Sequence, residues 1–222
     1  MPGFVPADPA EFFDPARMRI INAHHEAGHL LLAYYFGFAI SRYAYRQFGR
    51  DLSAFVKNKM NPEFTQADAA FAAMAETQKL LAGELAGRIN AGISAEQIVL
   101  PVKDFAAVSR DTPLRKLDWE SDHKGHDTIR VLVIAHGLGV AEWWGWICEQ
   151  HAEVANFLRV HWDKVERLAE RILTVEPYSN DDERRAGTPS GHIEGDDLIR
   201  WCREIGCPVR DSRFTSVSYP AS

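Results

Sequence analysis

The sequence predicts a mainly helical protein that carries one small β-hairpin or sheet. Three observations predict it. Apolar residues recur at helical spacing in "MRIINAHHEAGHLLLAYYFGF", in the alanine-rich "FAAMAETQKLLAGELAGRINAG" and in "AEWWGWICEQHAEVANFLRVHWDKVERLAERILTV". One stretch alternates instead, with Tyr43 and Tyr45 set between Arg42, Ala44 and Arg46. Turn-rich stretches such as "SRDTPLRKL" and "EPYSNDDERRAGTPSG" separate these segments. A length of 222 residues suffices for one core, with or without a satellite lobe.

The elements follow in order. Pro2, Pro6, Pro9 and Pro15 make the first residues an extended arm, assigned to 1–18. A helix is expected over 18–38, with Asn22 as its N-cap or a first-turn residue and its end near Gly37. Strands at 39–48 and 51–58 flank the turn "FGRD". A long helix runs from about 64 to 90 and stops at Gly92. Residues 93–118 are mixed, with a short element in "AEQIVLPV" that ends at Pro101. An apolar helix spans about 126–137. One helix is expected over 141–175, bent near Gly145, then an exposed linker and a last helix at 195–205. The main domain is therefore set at 19–206 and a polar tail at 207–222. Neither a repeat nor a low-complexity tract is present.

Composition narrows the function. The protein has 46% hydrophobic and 25% charged residues, as ordinary globular proteins do. A net charge of −6, with the basic residues scattered, argues against nucleic acid and anionic membranes as partners. The longest apolar run, "LLLAYYFGFAI", is too short to span a bilayer. Cys148, Cys202 and Cys207 read as reduced thiols, and the spacing of the last two is poor for zinc. With no secretory signal pattern at the N-terminus, these features predict a cytoplasmic protein.

The chemistry gathers in "NAHHEAGHLLLAYY". His25 and His29 are one helical turn apart and project from one face, with Glu26 at its rim. This is the H-E-x-x-H arrangement: two imidazoles hold one zinc ion, and the glutamate handles the proton of a zinc-activated water. The alternative is a core helix with two hydrogen-bonded histidines. Ala27 and Gly28 are small enough to let another element approach the metal closely. A catalytic zinc needs a third protein ligand. Tyr35 stands where a third histidine six residues on would be, which excludes that solution. A glutamate one helix away is another common solution, and the other eligible cluster is "DHKGHDTIR", which holds Asp122, His123, His126 and Asp127 before an apolar helix. Its plain alternative is a solvated helix cap.

"HEAGH" before an apolar helix and a short hairpin resembles the zinc protease domain of FtsH-type ATP-dependent membrane proteases. "LLAGELAGRINAG" is similar to that family's L-x-G-x-x-A-E-x helix, which packs beside the metal helix. "KGHDTIRVLVIA" is similar to its G-A-x-x-D-L-x-x-A-T-x-x-A helix, with the glycine displaced. "WDKVERLAERIL" and "HIEGDDLIRW" resemble its C-terminal helices, so the likeness covers about 19–205. The resemblance implies a Zn2+ site of His25, His29 and Asp127, with Glu26 as general base and Asp122, His123 and His126 as alternative ligands. The chain has no G-x-x-x-x-G-K-[ST] loop, so the family's ATPase is not carried over.

Other residues have plainer readings. His24 points off the metal face and reads as a core or surface histidine, with an outer hydrogen bond to a ligand as the alternative. Glu84 reads as a helix ion pair with Arg88, or as a group that orients a zinc-bound histidine. Trp143, Trp144 and Trp146 read as core or subunit contact, with a substrate platform as the alternative. His136, His151 and His161 receive no role, and His192 is expected at the surface. The expectation is a zinc-dependent metalloendopeptidase that acts on peptides or unfolded protein, alone, as a homo-oligomer, or served by a separate substrate-delivering protein. The alternative is a catalytically silent binding module with a structural zinc.

Overall fold

The computed structural model describes residues 14–48, 51–59, 69–93, Val131, Ile134, 143–176 and 190–210. The described elements are five helices and three strands. They are α1 (Pro15–Tyr35), β1 (Ala39–Phe48), β2 (Asp51–Lys59), α2 (Ala69–Asn90), α3 (Trp143–Val160), α4 (Trp162–Leu173), β3 (Ser190–Glu194) and α5 (Gly195–Ile205). The protein is mainly helical with one small antiparallel sheet, as the sequence predicts.

Helix α1 is the centre. It packs against α2, α4, α5, β1 and β2. Ala23, Ala27, Leu30, Leu31, Leu32 and Ala33 are all buried, so the helix is covered on most sides. It starts at Pro15, three residues before the expected start. Asp14 is its N-cap and accepts the Ala16 N–H at 3.1 Å, and a proline in the first turn forfeits no helical hydrogen bond. The expected extended arm therefore gives way to helix over 15–18. At the other end Phe36 caps the helix and Gly37, at φ 73°, turns the chain into β1.

The sheet order is β2-β1-β3. The hairpin falls where it was expected, with Tyr43 opposite Val56 and Tyr45 opposite Ala54. The third strand was not expected. Residues 190–194 pair antiparallel with β1, placing Ile193 opposite Tyr43, where the sequence had suggested linker up to 191 and no strand. Such a short strand carries little alternation of its own, and its pairing partner is far away in sequence. A bulge between Ile40 and Arg42 lets Ile40, Tyr43 and Tyr45 all face the core.

The single helix expected over 141–175 is two. His161 ends α3 and is the N-cap position of α4, while Gly145, where a bend was expected, lies inside continuous helix. The chain turns because the buried stripe Val165, Leu168, Ala169 and Ile172 serves a different face from that of Ile147, Val154 and Leu158. Trp146 is buried in the core, as one of its readings had it.

The last helix matches its expected span, and Gly206 ends it in the left-handed conformation. Residues 207–210, expected as tail, are packed: Cys207 is buried, and Arg210 donates its N–H to Tyr35 O at 2.9 Å. The expected helix start at 64–68, the segment 94–130 and the tail beyond 210 lie outside the described residues. Val131 is helical and fully buried in the core. Among the described residues, no helix is long and apolar enough to cross a membrane.

Candidate metal centre

His25, Glu26 and His29 come together as the four-residue spacing requires. One ligand atom from each lies within 4.8 Å of the other two. The two rings stand nearly perpendicular, their centroids 4.5 Å apart, and the two Nε2 atoms face each other at 2.9 Å. Glu26 and His29 are buried and His25 is half-buried.

The tautomer of His29 follows from its neighbour. Its Nδ1 lies 2.9 Å from the backbone oxygen of Lys79, which can only accept, so Nδ1 carries the proton. Nε2 is then the lone-pair nitrogen, and it points at His25. A backbone carbonyl on the far ring nitrogen is the arrangement that aims a metal-binding histidine.

Small residues make room for these rings. A Cβ at Gly83 would lie 2.2 Å from His29 Cε1, and one at Gly87 would lie 3.3 Å from His25 Cβ. On the other side of the contact, a Cβ at Gly28 would meet the Ala82 carbonyl oxygen at 2.3 Å. Glycines on α1 and α2 thus bring the helices together and open a slot in which both imidazoles fit.

The donor set suits a divalent ion of the zinc type. Two imidazole nitrogens are borderline ligands that zinc accepts, and the Glu26 carboxylate lies close enough to act on a group bound there. Two nitrogens on a tetrahedral zinc are separated by about 3.3 Å, so the observed pair needs to open by only about 0.4 Å. The residues present therefore fit the ion.

Tyr43 borders the site from β1. It is buried, and its pKa is raised by that burial, by the Glu26 carboxylate and by Tyr45, with Arg19 acting against. Tyr43 is therefore a neutral hydroxyl in the field of Glu26. Arg19 lies over the Tyr45 ring at 5.3 Å. Since Arg19 and Glu26 are seven residues apart on α1, they share one stripe of that helix, which faces the two tyrosines.

The remaining expected residues divide clearly. His24 is buried away from the pair. Its Nδ1 donates to Ile20 O at 2.8 Å, its Nε2 accepts from Asn90 at 3.2 Å, and its ring stacks on Trp162 at 5.9 Å. It ties α1 to α2 and α4. Glu84 is half-buried on α2 and lies outside the His25–Glu26–His29 cluster. His192 is exposed on β3, as expected. Asp122, His123, His126 and Asp127 lie outside the described residues, as does His136. The three cysteines are free thiols. Cys202 and Cys207 hydrogen-bond to each other, which raises the Cys202 pKa and lowers that of Cys207.

Sequence reading missed Tyr43, Gly83, Gly87 and the carbonyl of Lys79. The glycines did leave a signal, since Gly83 and Gly87 are four apart in an otherwise strong helix former. A backbone carbonyl leaves none.

No known family model matches the chain, and no curated protein matches it at a significant level.

Proposed function

We propose that this protein is a zinc-dependent metalloendopeptidase, similar to the peptidase domain of FtsH-type proteases. The observation that carries the reading is the pair of Nε2 atoms at 2.9 Å with the Glu26 carboxylate beside them on the same helix. His25 and His29 would hold the ion, and Asp127 is the proposed third ligand. Zinc supplies Lewis acidity: it makes a water more acidic and polarises the scissile carbonyl.

The chain's residues do the rest. His29, its Nδ1–H held by Lys79 O, keeps its lone pair aimed at one point. Glu26 takes the proton of the attacking water as the new C–O bond forms. It then delivers that proton to the amine nitrogen as the C–N bond breaks. The Tyr43 hydroxyl keeps its proton and is suited to donate a hydrogen bond to a developing negative charge. In the described sheet β2 is an outer strand, and its edge would suit an extended peptide, so the proposed substrates are flexible peptides, loose termini or chains presented by another protein. The free thiols accord with a reducing compartment, for which we propose the cytoplasm.

One observation favours the second reading, a silent binding module with a structural zinc. Glu26 is only 3% exposed, deep for a group that must meet water and substrate. The decisive experiment measures zinc per chain and cleavage of β-casein for the natural protein and Glu26→Gln. We expect about one zinc in each, and cleavage at least about 10²-fold slower in the variant. A Glu26→Gln protein that keeps both zinc and full cleavage would overturn the mechanism. Zinc in both without cleavage in either, with slow release to a small chelator, would establish the binding module.

A further inference from the structure

Three elements meet at one buried lysine. Lys79 is 5% exposed on α2. Its Nζ donates to both carboxylate oxygens of Glu76, at 2.9 and 2.8 Å, and to Asn58 Oδ1 of β2 at 2.8 Å. It also lies 4.9 Å from the centre of the Phe38 ring. Its backbone oxygen holds His29 of α1. An ammonium so placed has few alternatives, because leaving its partners without water costs several times what an ordinary hydrogen bond contributes. The clamp therefore fixes the spacing between α2 and β2, and with it the place of the oxygen that aims His29.

Asn58 has a second task. Its Nδ2 donates to Val56 O at 3.0 Å. Ser41 of β1 donates its hydroxyl to Lys57 O at 3.0 Å, so the Lys57 carbonyl faces β1. Carbonyls alternate along a strand, so that of Val56 faces the outer edge of the sheet. The Asn58 amide therefore occupies an edge acceptor with one end and steadies Lys79 with the other.

We propose that Asn58, Lys79 and Glu76 are positioning residues for His29, with Asn58 shared between that task and the outer edge of β2. The inference rests on the proposed metal site and deepens it. The two ends of Asn58 can be separated, because Asn58→Asp keeps the oxygen that faces Lys79 and drops the amide on Val56. Asn58→Ala drops both, and Lys79→Met removes the ammonium while keeping the backbone.

The test records ring-nitrogen NMR spectra of His29 in the metal-free natural protein and in these three variants, above the histidine titration range. Zn2+ affinity follows by competition with a chromophoric chelator. We expect the Nδ1–H tautomer alone in the natural protein and in Asn58→Asp. Asn58→Ala and Lys79→Met should show mixed tautomers and bind Zn2+ about tenfold more weakly. The same His29 spectrum in all four folded proteins would overturn the inference. Mixed tautomers in Asn58→Ala and Lys79→Met, together with a natural protein that keeps the Nδ1–H tautomer but binds no Zn2+, would support the positioning role and refute the metal reading instead.

Discussion

A Cβ atom at Gly83 would lie 2.2 Å from Cε1 and 2.3 Å from Nε2 of His29, so the imidazole fills the space that glycine leaves on α2. The ring cannot yield easily, because Lys79 O holds its Nδ1. Gly83→Ala should therefore displace the ring or part the helices, at about 1–3 kcal/mol. Zinc affinity should fall by at least about tenfold. Gly145→Ala is the control: a Cβ at this exposed helix position meets nothing within 4 Å, and it should stabilise by about 0.5–1 kcal/mol. Thermal unfolding and a zinc titration of both variants check this. An unperturbed zinc affinity in Gly83→Ala would show that the ring has room the structure does not provide.

His24 adjoins the metal pair in sequence but is bonded elsewhere. His24→Ala loses the hydrogen bonds to Ile20 O and Asn90 and the stack on Trp162. The expected cost is about 1–3 kcal/mol of stability. Zinc content should not change. Chemical denaturation together with metal analysis separates the two roles, and a loss of zinc without loss of stability would assign His24 to the metal after all.

His151 makes stability depend on pH. Its pKa is lowered from the ordinary 6.5, first by burial and then by the positive charge of Arg88. The folded state thus binds this proton less readily than the unfolded state does. The stabilisation is fully present above about pH 6.5 and is lost as the pH falls through the depressed folded pKa. His151→Gln should flatten that part of the melting-temperature profile. A profile below pH 6.5 that is the same in both proteins would show that another group carries the dependence.

How much of this was legible beforehand depended on the range of the interactions. The H-E-x-x-H geometry was, because a helix repeats every 3.6 residues and His25, Glu26 and His29 need nothing else to converge. The hairpin pairing at 39–58 was, because its two strands follow one another in the chain. The helix α2 was, because alanine and leucine favour helix with or without neighbours. The break at His161 was not: both halves are good helix, and only the direction of their buried faces separates them. Strand β3 was not, because five residues gain their conformation from pairing with β1, nearly 150 positions earlier in the chain.

The sequence by itself determined the mainly helical class, the metal-type trio on one face of α1 and the small residues that let α2 approach. These are properties of periodicity and side-chain size. Only the tertiary structure decided which atom aims His29, that Tyr43 stands in the field of Glu26, that His24 belongs to the packing, and that Asn58 joins the sheet edge to Lys79. Each of those depends on where two elements cross to within about an ångström. That distance is set by the packing of the whole core, and no local pattern encodes it.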